Sequence, residues 1–281
     1  MESIHTNLLK ERWQTTEGEA LENILRALTS GAPAREVYEY CSMQVPLVKP
    51  WLDSGLLDLR GAKVKSRSFE NTLSEQIELY DCDLSYSEME GCTFDRIYFA
   101  ALALWAKFNN CTFVHCRILP TYAHNATFTD CTFKDFNSSA DLLFYNGIMD
   151  SCRFTDCERF TLRAVNARFN NVIAENSILH FYHRSYPHGG ASFENSTLPR
   201  CDFKMTIWPH STFINCDLSG GDFSGCCLIG TRFSHCDLSG VNFEGAKLRD
   251  VIFNDCDTST CNFLNADYES MELTAAFIIQ K

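Results

Sequence analysis

Large apolar side chains recur every five residues over most of this chain, and that spacing constrains the fold more than any other feature. From residue 191 onward, Phe193, Leu198, Phe203, Trp208, Phe213, Leu218, Phe223, Leu228, Phe233, Leu238, Phe243, Leu248 and Phe253 stand five apart. Thr258 interrupts the run, and Phe263, Tyr268, Leu273 and Ile278 resume it. Two residues before each centre sits a mostly small side chain, as at Cys216, Gly221, Cys226, Thr231 and Cys236. The other three positions are largely polar or Gly. A period of five suits neither a helix nor a simple strand. It suits a chain that turns a corner every five residues and buries two side chains per side. Four such sides make a coil of twenty, and the sequence shows twenty independently: CDLSG occurs at 216–220 and again at 236–240. Phe213, Phe233 and Phe253 then stack on one side, with Phe203, Phe223, Phe243 and Phe263 opposite. Leu218 and Leu238 fall on a third side, Leu228 and Leu248 on the fourth. Like stacked on like fills an axial core without voids. The expected class is an all-β solenoid.

The pattern continues upstream in other registers. One run has centres from Leu59 to Leu104 with a weak Ser74, a second runs from Phe108 to Phe133, and a third from Phe144 to Leu179 with a poor Arg159. The expected domain is 57–281, with register slips near 105–107, 138–142 and 180–190. Residues 1–56 lack the repeat. Thr16 and Glu19 read as a capping box, followed by a helical face of Leu21, Ile24, Leu25 and Leu28 that Gly31 and Pro33 end. A second helix is expected over Glu36–Cys41. The segment is read as a small N-terminal α-helical cap, because the first coil of a β-helix exposes unpaired backbone that natural proteins cover.

CDLSG, GDFSG, VNFEG and CNFLN resemble the pentapeptide-repeat family, whose motif is A(D/N)LXX with Cys, Ser, Thr or Val allowed first and Phe at the centre. The resemblance spans about 57–278 and implies a right-handed quadrilateral β-helix. At ~4.8 Å per coil, about eleven coils would make a rod on the order of 50 Å long.

The register also explains an unusual composition. The chain holds 15 Cys and 22 Phe in 281 residues. Thirteen of the cysteines occupy the small inward position, at 82, 92, 111, 116, 131, 152, 157, 201, 216, 226, 236, 256 and 261; Cys41 and Cys227 do not. Free Cys packs as a small hydrophobe. An odd count, no secretory signal and no CxxC-like clustering argue against a disulfide scaffold and against a metal site. The expected compartment is the cytoplasm. No apolar run approaches the ~20 residues of a membrane span.

Net charge is −12, from 24 basic and 36 acidic residues, which argues against direct nucleic-acid binding and against an anionic membrane surface. Residues 191–281 carry 12 acidic and 6 basic side chains. Asp217, Asp237 and Asp257 are twenty apart and form one expected column. Asp202 and Asp222 start another, continued by Asn242 and Asn262. Carboxylates stacked at ~4.8 Å repel by roughly 0.9 kcal/mol per pair in water, a tolerable cost on a solvated face. Residues 180–190, HFYHRSYPHGG, hold three histidines, and Tyr182, Arg184 and Tyr186 suit a recognition loop for a protein partner. The apolar C-terminal end, with Leu273, Phe277, Ile278 and Ile279, suits a homodimer contact.

No phosphate loop, GxSxG or HExxH is present, so neither a catalytic residue nor a cofactor is expected. The reading is a non-enzymatic binding protein that presents an acidic rod to a protein partner. Resemblance to the Qnr-type and antibiotic self-immunity members of the family implies a DNA mimic that docks on DNA gyrase or topoisomerase IV and so protects or inhibits it. A general protein–protein scaffold and a secreted bacterial effector domain are the alternatives.

Overall fold

Backbone with positive φ recurs every five residues, and it builds the corners. In the computed structural model, Asn195, Arg200, Met205, His210, Asn215, Gly220, Gly225, Gly230, His235, Gly240, Gly245, Asp250 and Asp255 all have φ between 50° and 70°. Each lies two residues after an inward centre. Gly, Asn and Asp tolerate this left-handed region best, which is why they dominate a position that looks merely polar in the sequence. At many corners the turn closes with a bond from the residue after the corner back to the centre, as Thr206 N donates to the Phe203 carbonyl at 3.3 Å and Gly221 N to Leu218 at 2.9 Å. Positive φ at the third residue of such a turn is the type II requirement.

The structure describes residues 11–14, 18–19, 22–23, 26, 47–48, 56–70, 78–118, 121–157, 159–181, 189–267 and 272–273. The chain forms two compact units, Met1–Leu143 and Phe144–Lys281. Both are stacks of parallel coils.

In the second unit, four columns of paired residues run up four sides. One passes through Arg168, Ser192, Thr212, Arg232, Ile252 and Glu272. The others pass through Thr197, Asp217 and Asp237, through Asp202, Asp222, Asn242 and Asn262, and through Ile207, Cys227, Lys247 and Asp267. From Ser192 the step is twenty on every side. The axial core follows the expected columns. Phe193, Phe213, Phe233 and Phe253 stack nearly parallel, with centroids 4.8–5.1 Å apart. Phe181, Phe203, Phe223, Phe243 and Phe263 form the facing stack, spaced 4.3–5.3 Å. Across the axis the two stacks meet edge to face, as Phe213 and Phe223 do at 5.9 Å and 81°. Such pairs add ~0.5–1.5 kcal/mol each beyond the area they bury. Trp208 is fully buried and donates its indole N–H to the Ala164 carbonyl at 3.0 Å.

The step is less regular elsewhere. In the first unit, Lys63 pairs with Glu88 and Ser68 with Thr93, a coil of 25. This coil is therefore five residues longer than the expected twenty. The next coil is 19 at Glu88↔Lys107, and the one after is 20 at Lys107↔Thr127. A one-residue shift falls where Tyr80 pairs with Ala100 but Cys82 with Ala101. This β-bulge lies ahead of the slip expected at 105–107. Ala103 is accordingly the buried centre, 4% exposed, while Leu104 is half-buried. Thr121 pairs with Leu142, a step of 21. In the second unit, Arg168 pairs with Ser192, a step of 24. Arg159 is not a corner-flanked centre either. Arg159–Val165 is a single strand, with Phe160, Leu162 and Ala164 buried by simple alternation.

At the start of the first unit, Leu47–Val48 pairs antiparallel with Leu56–Leu57, at the edge of the first coil. Trp13 Nε1 donates to the Arg60 carbonyl at 2.9 Å, and Arg67 pairs with Glu22 at 2.7 Å. Glu11, Gly18, Glu19, Glu22, Asn23 and Arg26 are helical. The proposed second helix over Glu36–Cys41 lies outside the described residues.

Candidate functional site: the acidic columns

The residue before each inward centre is often Asp or Asn, and the geometry gives it a local task. Asp202 Oδ1 accepts the Lys204 N–H at 2.9 Å, Asp217 that of Ser219 at 3.0 Å, and Asp222 that of Ser224 at 3.0 Å. Asp237 does the same for Ser239 at 2.9 Å, and Asp257 for Ser259 at 2.8 Å. Asn242 and Asn262 repeat it toward Glu244 and Leu264. This is the Asx turn, in which a short side chain bonds its own backbone two residues on. The carboxylates are thus held pointing along the coil and at the surface by the fold itself.

The two expected columns differ in charge. Asp202 is met by His180 Nδ1 at 3.1 Å, and Asp222 by Lys204 Nζ at 3.1 Å. The hydrogen bond from His180 holds the Asp202 carboxyl below its ordinary value. Beyond Asp222 the column turns neutral, as Asn242 Nδ2 donates to Asp222 at 3.4 Å and Asn262 Nδ2 to Asn242 at 2.9 Å. This side is a partly neutralised ladder. Asp217, Asp237 and Asp257 have no cation within salt-bridge distance among the described residues. Bonds from Ser239 and Ser259 hold the Asp237 and Asp257 carboxyls below the usual range, while Asp257 pushes Asp237 the other way as a like charge. Their neighbours are Ser219, Ser239 and Ser259, all neutral. The bare acidic column is therefore the one through Asp217, Asp237 and Asp257.

The remaining expected site residues divide cleanly. Tyr182, Arg184 and Tyr186 lie outside the described residues, as do Phe277, Ile278 and Ile279. Leu273 continues the Phe253 column in register. At Gly190 a Cβ would lie 2.2 Å from Ser211 Oγ and 2.6 Å from the Pro209 carbonyl. Only glycine passes that close to the backbone.

The inward cysteines are donors as well as wedges, a role the spacing did not announce. Cys226 Sγ donates to the Phe203 carbonyl at 2.7 Å, Cys116 to Phe94 at 3.2 Å, Cys131 to Phe108 at 3.3 Å and Cys236 to Phe213 at 3.3 Å. Each acceptor is a centre one coil earlier. Thr206 and Thr231 hydroxyls make the same bond, to Phe181 at 3.0 Å and Trp208 at 3.2 Å. That shared bond is why Cys, Ser and Thr alternate at this position. Burial pushes the Cys116, Cys201 and Cys226 thiols up to about 12. They remain protonated and poorly nucleophilic at neutral pH. Among the described residues the cysteines from Cys92 to Cys261 are free, and no three His, Cys, Asp or Glu converge as a metal-holding group. No helix of the described residues is long and apolar enough to cross a membrane.

No curated protein matches the sequence. Among solved structures the chain is similar to HetL, a pentapeptide repeat protein involved in heterocyst differentiation regulation from the cyanobacterium Nostoc sp. strain PCC 7120. Identity there is 13% over 75% of this chain and 86% of that one, with a TM-score of 0.42. It is similar to full-length QnrB1, a plasmid-mediated fluoroquinolone resistance protein, at 16% identity over 77% of this chain and 93% of that one, with a TM-score of 0.24. It is also similar to the A-module of the Azotobacter vinelandii mannuronan C-5 epimerase AlgE4, at 8% identity over 75% and 78% of the two chains, with a TM-score of 0.36. Residues 206–277 match the family described as Pentapeptide repeat region. With its five-residue corners, stacked inward centres and this match, residues 206–277 form a pentapeptide repeat region.

Proposed function

We propose that this chain is a non-enzymatic binding protein whose acidic column, Asp217–Asp237–Asp257, is the face it offers to a protein partner. The observation that carries the reading is the contrast between two columns on one scaffold. One is answered by His180 and Lys204, while the other is left bare and aligned by serine N–H bonds. Fixed charges that need no rearrangement favour rapid, oriented association with a basic surface. The partner class with a surface built for regularly spaced anions is a duplex-DNA-binding enzyme. Within it we propose a type II topoisomerase, DNA gyrase or topoisomerase IV, which the chain would protect or inhibit as a DNA mimic, in line with antibiotic resistance or self-immunity. Free thiols suit residence in the reducing cytoplasm. We further propose that the chain self-associates through its C-terminal end near Leu273, where Leu264 in the last described coil is 60% exposed. A dimeric mass in light scattering at micromolar protein is the expected result, and a monomeric mass refutes that contact.

Supercoiling by purified gyrase, with and without a quinolone, tests the partner. Inhibition of supercoiling or relief of drug-induced cleavage at micromolar protein is expected. No effect in either assay excludes the topoisomerase and leaves a general scaffold.

A further inference from the structure

The inward thiols are of two kinds, isolated and stacked. Cys201 is followed one coil later by Gly221, Cys226 lies between Thr206 and Ala246, and Cys116 is followed by Phe136. Cys216, Cys236 and Cys256 instead occupy one corner in three successive coils, and so do Cys92, Cys111 and Cys131. Within each column the cysteines stand in register on neighbouring coils, because the strands just before them pair as Glu90↔Asn109 and Asn109↔Thr129, and as Ile214↔Ser234 and Ser234↔Asn254. Cys256 Sγ also accepts the Cys236 N–H at 3.3 Å. All of these thiols are buried: Cys216, Cys236 and Cys256 are 2%, 4% and 3% exposed, Cys92, Cys111 and Cys131 are 1%, and Cys116, Cys201 and Cys226 are at 0%.

We propose that these two columns are binding sites for a soft, monovalent ion of the Cu(I) class, held in linear coordination between thiolates of neighbouring coils. Such an ion prefers thiolate sulfur and needs only two ligands, so the absence of any three-ligand cluster is no obstacle. The dimensions agree. Parallel strands repeat at ~4.8 Å, and two end-to-end metal–thiolate bonds of ~2.3 Å span nearly the same length. An isolated thiol has no second sulfur one coil away and cannot close the unit. On binding, two S–H bonds break and two metal–sulfur bonds form. The two protons pass to solvent and the ion stays Cu(I), so no oxidant or reductant enters. The surrendered donor bonds to Phe213 and Phe193 set a cost that an isolated pair of ligands in water would not have.

The test is Cu(I) titration of the reduced, full-length chain without oxygen, competed by a Cu(I) chelator and counted by native mass spectrometry. Cys236→Ser and Cys111→Ser remove the middle sulfur of each column while keeping a hydroxyl donor. Each is expected to lose one tightly held ion, weakening that site by more than the 10–100-fold typical of losing an outer-shell partner. Cys226→Ser and Cys201→Ser are expected to keep the wild-type count. Circular dichroism of each variant confirms the coil stack, and should Cys236→Ser not fold, Cys111→Ser decides alone. Equal losses in the stacked and isolated variants, or wild-type affinity in Cys111→Ser, overturn the proposal.

Discussion

A side chain in this fold is chosen by one hydrogen bond as often as by its volume. The inward small position donates to the carbonyl of the centre one coil earlier, whether through Cys226 or through Thr206. Cys226→Ser should therefore cost little, while Cys226→Ala should lose about 1 kcal/mol, read as a lower urea midpoint at unchanged slope. Reactivity follows burial. With its thiol pushed up to about 12, Cys226 has ~10⁻⁴ of its population as thiolate at pH 8. Its half-buried neighbour Cys227 should alkylate first in the folded protein, as peptide mass mapping can show. Asp202 illustrates the acidic counterpart. Its carboxyl titrates lower folded than unfolded because His180 bonds it. That contribution is complete above the unfolded value near ~4 and is lost as pH falls through the folded one. The stability gap between wild type and Asp202→Asn should shrink as pH falls below ~4. A gap that grew below ~4 would contradict the assignment.

At the scale of the element, the corner governs. Gly240 has φ of 68° and nothing within 4 Å of where a Cβ would sit, so substitution there meets backbone strain alone. Gly240→Ala should destabilise by roughly 1–2 kcal/mol, and Gly240→Asn by less, because Asn tolerates this region. Thermal midpoints of the two variants give the order. The corners were legible in sequence only as a polar position, since Met205, Arg200 and Trp105 also adopt positive φ there. The centres were far more legible, because burying Phe213 on Phe193 and Phe233 needs the same large residue at every twenty. The five-residue period says nothing about how many fives close a coil, however. An extra five keeps the spacing of Leu59, Val64 and Leu84 intact while lengthening the coil to 25. The bulge at Tyr80/Cys82 hides for a related reason, because Ala103 is too small to mark a centre beside Leu104. That smallness leaves an apolar cavity of about 30 Å³ lined by Ala103, Ala123, Phe108, Phe128 and Leu142. Ala123→Val should raise the thermal midpoint by partly filling it. A lowered midpoint would show that the site cannot accept the branch.

For the whole molecule, the composition that first looked chemical is largely packing, and the function resides in what packing leaves over. Cysteines and phenylalanines are spent on the coil interior. The aspartates are spent in part on Asx turns, which is why a column of Asp in the sequence does not by itself identify a binding face. Sequence spacing placed Asp202 and Asp222 beside Asp217, Asp237 and Asp257 as equals. Their difference arises from His180 and Lys204, whose reach across coils no spacing encodes. Charge removal on the two columns separates the turn role from the partner role. Every Asp→Asn change keeps the Asx oxygen, as Asn242 already shows. The most direct measurement is therefore gyrase supercoiling and quinolone-induced cleavage in the presence of three proteins: wild type, the Asp217→Asn, Asp237→Asn, Asp257→Asn triple variant, and the Asp202→Asn, Asp222→Asn double variant. The bare column predicts that wild type and the double variant act alike and that the triple variant loses at least about tenfold in potency, or ~1.4 kcal/mol. A triple variant as potent as wild type, or a wild type without effect, contradicts it.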